Sequence, residues 1–177
     1  KVTIPRGNYV IKAGDFLSFA ATRAVGRQFL EDIGFKTRQV RNAMLIGGGR
    51  ASYYLAKQLI GMGIQVKIIE IKRTRCEELS VLLPKAIIIN GDGTDEELLR
   101  EEGIERAEAV VALTGIDEEN ILLTLFARRV SQAKTITKIN RISFQDVINS
   151  LDLGTVIYPK YITAETIIRY VRAMKES

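Results

Sequence analysis

Six residues at the end of a short apolar run, Gly47-Gly48-Gly49-Arg50-Ala51-Ser52, have the types and spacing to hold a phosphate. Written as Gly-x-Gly-x-x-Ser, they nearly match the dinucleotide-binding fingerprint. The first glycine permits a tight turn, and the second lets backbone N–H groups approach a pyrophosphate at the positive end of the following helix. Ser52 stands where a third glycine normally allows close helix–strand packing, and its hydroxymethyl group implies a slightly wider approach. Arg50 brings a guanidinium near any bound phosphates. Glu70 ends the next apolar run, 23 residues beyond Gly47. An acid there accepts hydrogen bonds from ribose hydroxyls and repels a 2′-phosphate, which favours NAD or ATP-type ligands over NADP. Glycine-rich turns also serve as plain turns, so the motif depends on its surroundings.

Two further loops carry similar chemistry. Asn90-Gly91-Asp92-Gly93-Thr94 follows a third apolar run and precedes the helix that Asp95-Glu96-Glu97 begin. Asp92 is read equally as a ligand contact or, like Thr94, as the N-cap of that helix. Thr114-Gly115 follows a fourth run, and Asp117-Glu118-Glu119-Asn120 opens the next helix. Those three acids suit a helix start, with cation binding as the alternative. Lys72, Arg73 and Arg75 read as a solvated helix start.

The elements that must position these loops alternate between apolar strands and amphipathic helices. Strands are predicted at Ala43–Ile46, Val66–Ile69, Ala86–Ile89, Ala109–Leu113, Thr135–Ile139 and Thr155–Ile157. Core-facing residues between them are Leu55, Leu59 and Ile60, then Leu79, Leu82 and Leu83, then Leu98 and Leu99. Further on come Ile121, Leu122, Leu125 and Phe126, then Val147, Ile148 and Leu151. Strands without polar alternation are buried on both faces, which implies a parallel sheet with helices on each side. The predicted fold class is therefore α/β, a doubly wound, Rossmann-like parallel sheet of six strands. All three loops then lie at the carboxyl edge of the sheet, where ligands of open α/β folds bind.

Ahead of this body, Tyr9–Ile11 and Phe16–Ala20 read as a β-hairpin turning through Lys12–Asp15, followed by a helix from Arg23 to Ile33. An isolated hairpin of this size is marginal in water, so it is expected to pair with a segment outside the chain or with a partner. The chain accordingly reads as a piece of a longer protein. At its other end, Ile167, Tyr170, Val171 and Met174 make an apolar stripe at helical spacing that either packs on the sheet or forms a dimer contact.

Composition narrows the chemistry. The 177 residues are 46% apolar and 27% charged, as in a globular chain. Histidine is absent, which excludes Ser-His-Asp and Cys-His catalysis and His-ligated zinc. The one cysteine, Cys76, forms no internal disulfide and fits a reducing compartment. Net charge is +5, but residues 1–41 hold eight cations against three anions, so the remainder is balanced. Basicity confined to that segment, without a basic groove or aromatic-rich strands in the body, argues against a nucleic-acid binder.

Taken together, Ala43–Arg50, Gly91–Thr94, Ala112–Gly115, Asp117–Asn120 and Val156–Pro159 resemble the RCK or KTN domains of TrkA-family potassium-uptake regulators. In that scheme residues 1–22, with Pro5-Arg6-Gly7 and Ile11–Asp15, resemble the tail of a preceding RCK-C domain. Residues 23–41 would be a helical linker. Residues 42–177 would be an RCK-N nucleotide-binding domain with its C-terminal helix.

The resemblance implies a cytosolic, non-enzymatic sensor of NAD(H) or ATP/ADP, peripheral to the membrane through a potassium-translocating integral membrane subunit. It also implies a dimer or higher homo-oligomer, whose switching geometry gates that subunit. Gly47, Gly48, Gly49, Arg50 and Ala51 would meet the phosphates, with Arg50 reaching a nucleotide in a neighbouring subunit. Glu70 would meet the ribose, and Gly91, Asp92, Gly93, Thr94, Thr114 and Gly115 the adenosine side. The alternative is an NAD-dependent dehydrogenase fragment lacking its catalytic domain. Against it, no histidine serves hydride chemistry, and the Tyr53/Lys57 pair at Tyr-x-x-x-Lys spacing falls on the first helix after the glycine loop.

Overall fold

The computed structural model describes residues 7, 9–14, 19–34, 39–141, 143 and 145–173. It divides into two compact units, Lys1–Gln39 and Val40–Ser177.

In the first unit, α1 (Arg23–Asp32) starts at Thr22, whose hydroxyl accepts from the Val25 N–H, and ends through Gly34 at φ 78°. Arg27–Glu31 and Gln28–Asp32 pairs join successive turns, and Phe29 meets Phe19 edge to face. Of the predicted hairpin, the first strand is not formed among the described residues. Residues 9–12 form no strand, only Ala13-Gly14 turn, and most of the second predicted strand lies outside the described residues. Tyr9, Val10 and Ile11 are exposed.

The second unit is a six-stranded sheet in the order β3-β2-β1-β4-β5-β6. Its strands are β1 (Asn42–Ile46), β2 (Gln65–Glu70), β3 (Ile87–Asn90), β4 (Ala109–Ala112), β5 (Lys134–Lys138) and β6 (Thr155–Ile157). Every pairing is parallel, with Ile46 beside both Ile69 and Ala112. Crossovers run through α2 (Arg50–Gly61), α3 (Arg73–Leu82), α4 (Glu96–Glu101), α5 (Asp117–Val130) and α6 (Gln145–Ser150), and α7 (Pro159–Ala173) follows β6.

Alternate residues of each strand feed the two layers, as a period of two requires. Met44, Ile46 and Ile69 pack with Leu99, Ile104 and Leu123 on one face. Leu45, Val66 and Ile68 pack with Ala56, Leu79 and Leu83 on the other. A third cluster, Ile139, Ile148 and Leu153, closes the β6 end. Burial of both faces holds for the central strands but not for β3, an edge strand whose Ile87 is exposed. Leu82, Leu122 and Val147, predicted to face the core, lie on the solvent side of their helices. In α3, the i, i+3 and i+7 positions Cys76, Leu79 and Leu83 already fill the face toward the sheet.

No residue of α7 is buried. The alternative in which its stripe packs on the sheet is therefore not observed, and Ile167, Tyr170 and Val171 are exposed. Met174 lies outside the described residues.

Candidate functional site

At the carboxyl edge, the loops after β1, β2, β3 and β4 surround a cleft of about 760 Å³. Its floor is the glycine turn. Gly47 sits at φ 99°, and a Cβ there would lie 3.0 Å from the Leu113 carbonyl and the Thr114 nitrogen. Only glycine satisfies both the dihedral and the close approach. Gly48 is equally pressed, against Leu79 and Glu70. Gly49, by contrast, has nothing within 4 Å of its Cβ position. It is the N-cap of α2 and supplies no side-chain cap. The first-turn N–H groups of α2 thus lack intrahelical partners beside the open Gly49 position, the arrangement that binds phosphate.

Ser52 is fully buried, and its hydroxyl donates to the Gly47 carbonyl. The residue in the third-glycine position therefore braces the turn instead of widening it.

Glu70 ends β2 with its carboxylate fixed by two backbone donors. The Gly48 N–H reaches Oε2 at 2.7 Å and the Lys72 N–H reaches Oε1 at 2.8 Å. Each oxygen keeps a further lone pair, so a vicinal diol can be received without disturbing the loop. Beneath it, Cys76 Sγ lies 3.2 Å from the Glu70 carbonyl. Burial and then the Glu70 charge push its thiol pKa up. It stays a protonated, inert filler.

In the β3 loop, Asp92 Oδ1 accepts from the Thr94 N–H at 2.8 Å and the Thr94 hydroxyl at 2.7 Å. These bonds hold the exposed Asp92 carboxyl below the usual carboxylate range. Neither residue caps α4. Asp95 does, accepting from Glu97 and Leu98. Gly93 packs where a Cβ would strike Ile46, and Gly91 where one would strike Leu98, so both let this loop approach closely.

The β4 loop is held by Asn120, fully buried on α5. Its Oδ1 accepts from the Thr114 N–H at 2.9 Å, and its Nδ2 donates to the Thr114 and Lys138 carbonyls at 3.3 and 3.0 Å. Gly115 next to it is open. Asp117 turns away from the cleft. Burial raises its pKa, but the N–H groups of Asn140 and Arg141, the Asn140 amide and the Arg141 charge outweigh that, so the carboxyl lies below its usual value. Glu118 pairs with Arg141. The three acids of this helix start therefore do not converge, and no acidic metal cluster exists among the described residues.

The predicted residues Gly47, Gly48, Gly49, Glu70, Asp92, Gly93, Thr94, Thr114 and Gly115 thus meet in one cleft. Arg50 and Ala51 open α2 on its exposed side without lining it. The cleft also includes three cations that the sequence reading did not assign to it. Lys72 and Arg75 line it instead of standing apart as a solvated helix start, and Arg75 Nε donates to the Gly48 carbonyl at 2.8 Å. Of that trio only Arg73 stays out of the cleft, exposed and paired with Glu77. Lys138 enters from β5. Its position, the last residue of β5, carries no motif that marks it.

A family model for the TrkA-N domain matches residues 43–159. The chain belongs to the TrkA-N domain family. Among curated relatives, the Trk system potassium uptake protein TrkA of Halomonas elongata is 34% identical over 96% of this chain and 37% of its own length. A TrkA homolog 1 of Methanosarcina mazei is 32% identical over 96% of this chain and 42% of its own length. The chain thus spans less than half the length of these relatives.

The TrkA-N domain of the inner membrane protein ybaL from Escherichia coli superposes with TM-score 0.66 at 21% identity, covering 76% of this chain and 98% of that one. A GsuK channel bound to NAD gives 0.58 at 14% identity over 75% of this chain and 25% of its own. Likeness at these identities shows the fold. Within this TrkA-N domain, no helix of the described residues is long and apolar enough to cross a membrane.

Proposed function

We propose that the cleft binds an adenine nucleotide, NAD(H) or ATP/ADP, and that the chain is the sensing part of a regulator of potassium uptake. The observation that carries the reading is the pairing of an uncapped α2 start at the open Gly49 with a Glu70 carboxylate held in place by two backbone N–H groups. The first suits a diphosphate and the second a ribose diol. The residues present fit such a ligand. Gly47, Gly48 and Gly49 would hold its phosphates and Glu70 its ribose, with Gly91–Thr94, Thr114 and Gly115 flanking the adenosine. Arg50 and Ala51, exposed at the start of α2, would serve a ligand shared with a neighbouring subunit. The bound nucleotide supplies charge and shape only.

The relatives' names support potassium uptake as the process, and the absence of histidine supports regulation over hydride chemistry. In this reading residues 1–22 are the remnant of a preceding RCK-C domain, 23–41 a linker and 42–177 the RCK-N domain. The exposed apolar residues of α7 would meet a second copy. A potassium-translocating membrane subunit would be the partner, with the protein on its cytosolic side. A nucleotide preferring one inter-subunit geometry shifts the population toward it and gates that partner.

Calorimetric titration with NAD, NADH, ATP and ADP at near-physiological salt tests the reading. Saturable binding of at least one is expected, and heat from none of the four sinks it. Turnover of NADH with an added carbonyl substrate would favour a dehydrogenase instead.

A further inference from the structure

Among the described residues two lysines are half-buried, and they are provided for differently. Lys67 donates to both the carboxylate and the carbonyl of Glu102 at 2.7 Å. Lys138 makes no ion pair among the described residues. Its Nζ donates to one group, the Leu113 carbonyl, at 3.2 Å. The Asp117 charge favours its protonated form, but that carboxylate is committed to Asn140 and Arg141. Glu119 lines the same cleft, also without an ion pair to Lys138. A partly desolvated ammonium with two N–H groups left for the cleft is placed to meet an anion there.

Its location says which anion. The Leu113 carbonyl that Lys138 binds is the one lying 3.0 Å from the Cβ position of Gly47. The ammonium is therefore one carbonyl away from the glycine turn, on the β4–β5 side of the cleft. It is held there because Asn120 ties the Lys138 backbone to the Thr114 loop.

We infer that Lys138 is a specificity-determining cation that takes an oxygen of a second phosphate, so that the site distinguishes nucleotides carrying a diphosphate from monophosphates. This rests on the nucleotide reading above and adds a residue and a ligand preference to it. An adenosine monophosphate would satisfy the α2 start and Glu70 but leave Lys138 unmet. A diphosphate, in ADP, ATP or NAD, would engage all three. The charge of Lys138 also makes it a liability in the ligand-free protein, since burial pushes its pKa down.

The test is calorimetry with AMP, ADP, ATP and NAD on the wild-type chain and on Lys138→Gln and Lys138→Arg, with the melting temperature of each ligand-free protein. Charge-assisted contacts predict that Lys138→Gln loses about tenfold or more in affinity for ADP, ATP and NAD but less than about twofold for AMP. Lys138→Arg retains the preference, and ligand-free Lys138→Gln melts no lower than wild type. If wild type binds and Lys138→Gln keeps its diphosphate affinity, or loses AMP equally, this inference falls while the nucleotide reading stands. If wild type binds none of the four, both fall.

Discussion

At the amino edge of the sheet, Lys67 meets Glu102, and the Arg41 N–H and guanidinium both meet Glu108, whose own N–H donates to Asn42. At the carboxyl edge, Lys138 meets one carbonyl and the α2 start has no side-chain cap. The same sheet is thus closed on itself at one end and left with spare donors at the other. The contrast extends to helices that start at the same edge. Asp95 caps α4 with two bonds, whereas Gly49 leaves α2 uncapped. An aspartate cap is worth only roughly a few tenths of a kcal/mol more than glycine, so the open α2 start costs little stability and leaves its donors for a ligand to take up.

The largest way to break the carboxyl edge is at its floor. Gly47→Ala places a methyl group 3.0 Å from three Leu113–Thr114 backbone atoms, at φ 99°. Positive φ for a side-chain-bearing residue and a backbone clash together predict a loss of about 3 kcal/mol or more, read as the urea midpoint. Unchanged stability would mean that the turn does not pack on the β4 loop as described.

Gly49→Asp should do the opposite to stability. Gly49 has φ −66° and open space, and aspartate is a preferred N-cap. Its carboxylate would close α2 as Asp95 closes α4, raising the melting temperature slightly. It would also set an anion against the nucleotide phosphates, with affinity falling about a hundredfold, roughly 2.7 kcal/mol. Nucleotide affinity kept within a few-fold would remove the α2 start from the site.

Asp117 tests the seam between a satisfied carboxylate and the open cleft. With its folded pKa depressed, its stabilisation is full above the unfolded value near about 4 and is lost as pH falls through the folded one. Asp117→Asn should therefore cost about 2 kcal/mol at pH 7, typical of hydrogen bonds to a buried charge, and progressively less in acid. Denaturant midpoints at pH 7 and pH 3 check the sign. A gap that widens at pH 3 contradicts it.

Much of this contrast was legible before the fold. The apolar runs of β1, β2 and β4 and the exact span of β6 are set by local composition, and the turn glycines by their spacing to Glu70. What escaped depends on distant neighbours. Residue type does not reveal whether Arg75 reaches the Gly48 carbonyl or solvent, since its long stem permits either. Asp92, Thr94 and Asp95 are all competent caps, and only the backbone entering α4 selects Asp95. Ser52 looked like a compromise because sequence shows the missing glycine and not the Gly47 carbonyl waiting for a donor. Lys138 lies in a strand whose register brings it beside Ile157 and whose end faces the β4 loop, a relation made by three parallel pairings.

The smallest predicted effect sharpens the comparison most. Lys67→Met and Lys138→Met remove the same charge from two half-buried positions at opposite edges. Lys67→Met strands the Glu102 carboxylate, a quarter exposed, and should destabilise by about 1 kcal/mol. Lys138→Met strands only the Leu113 carbonyl and relieves an unmet charge, so its net effect should be near zero or favourable. Adding ADP should then reverse the ranking. Ligand binding to the native state raises its stability by RT ln(1 + [L]/Kd), so Lys67→Met should gain as much as wild type and Lys138→Met much less. Thermal melts with and without ADP measure all four values. Equal destabilisation of the two ligand-free variants would mean that Lys138 is a structural lysine like Lys67, and the division of labour between the edges would fail.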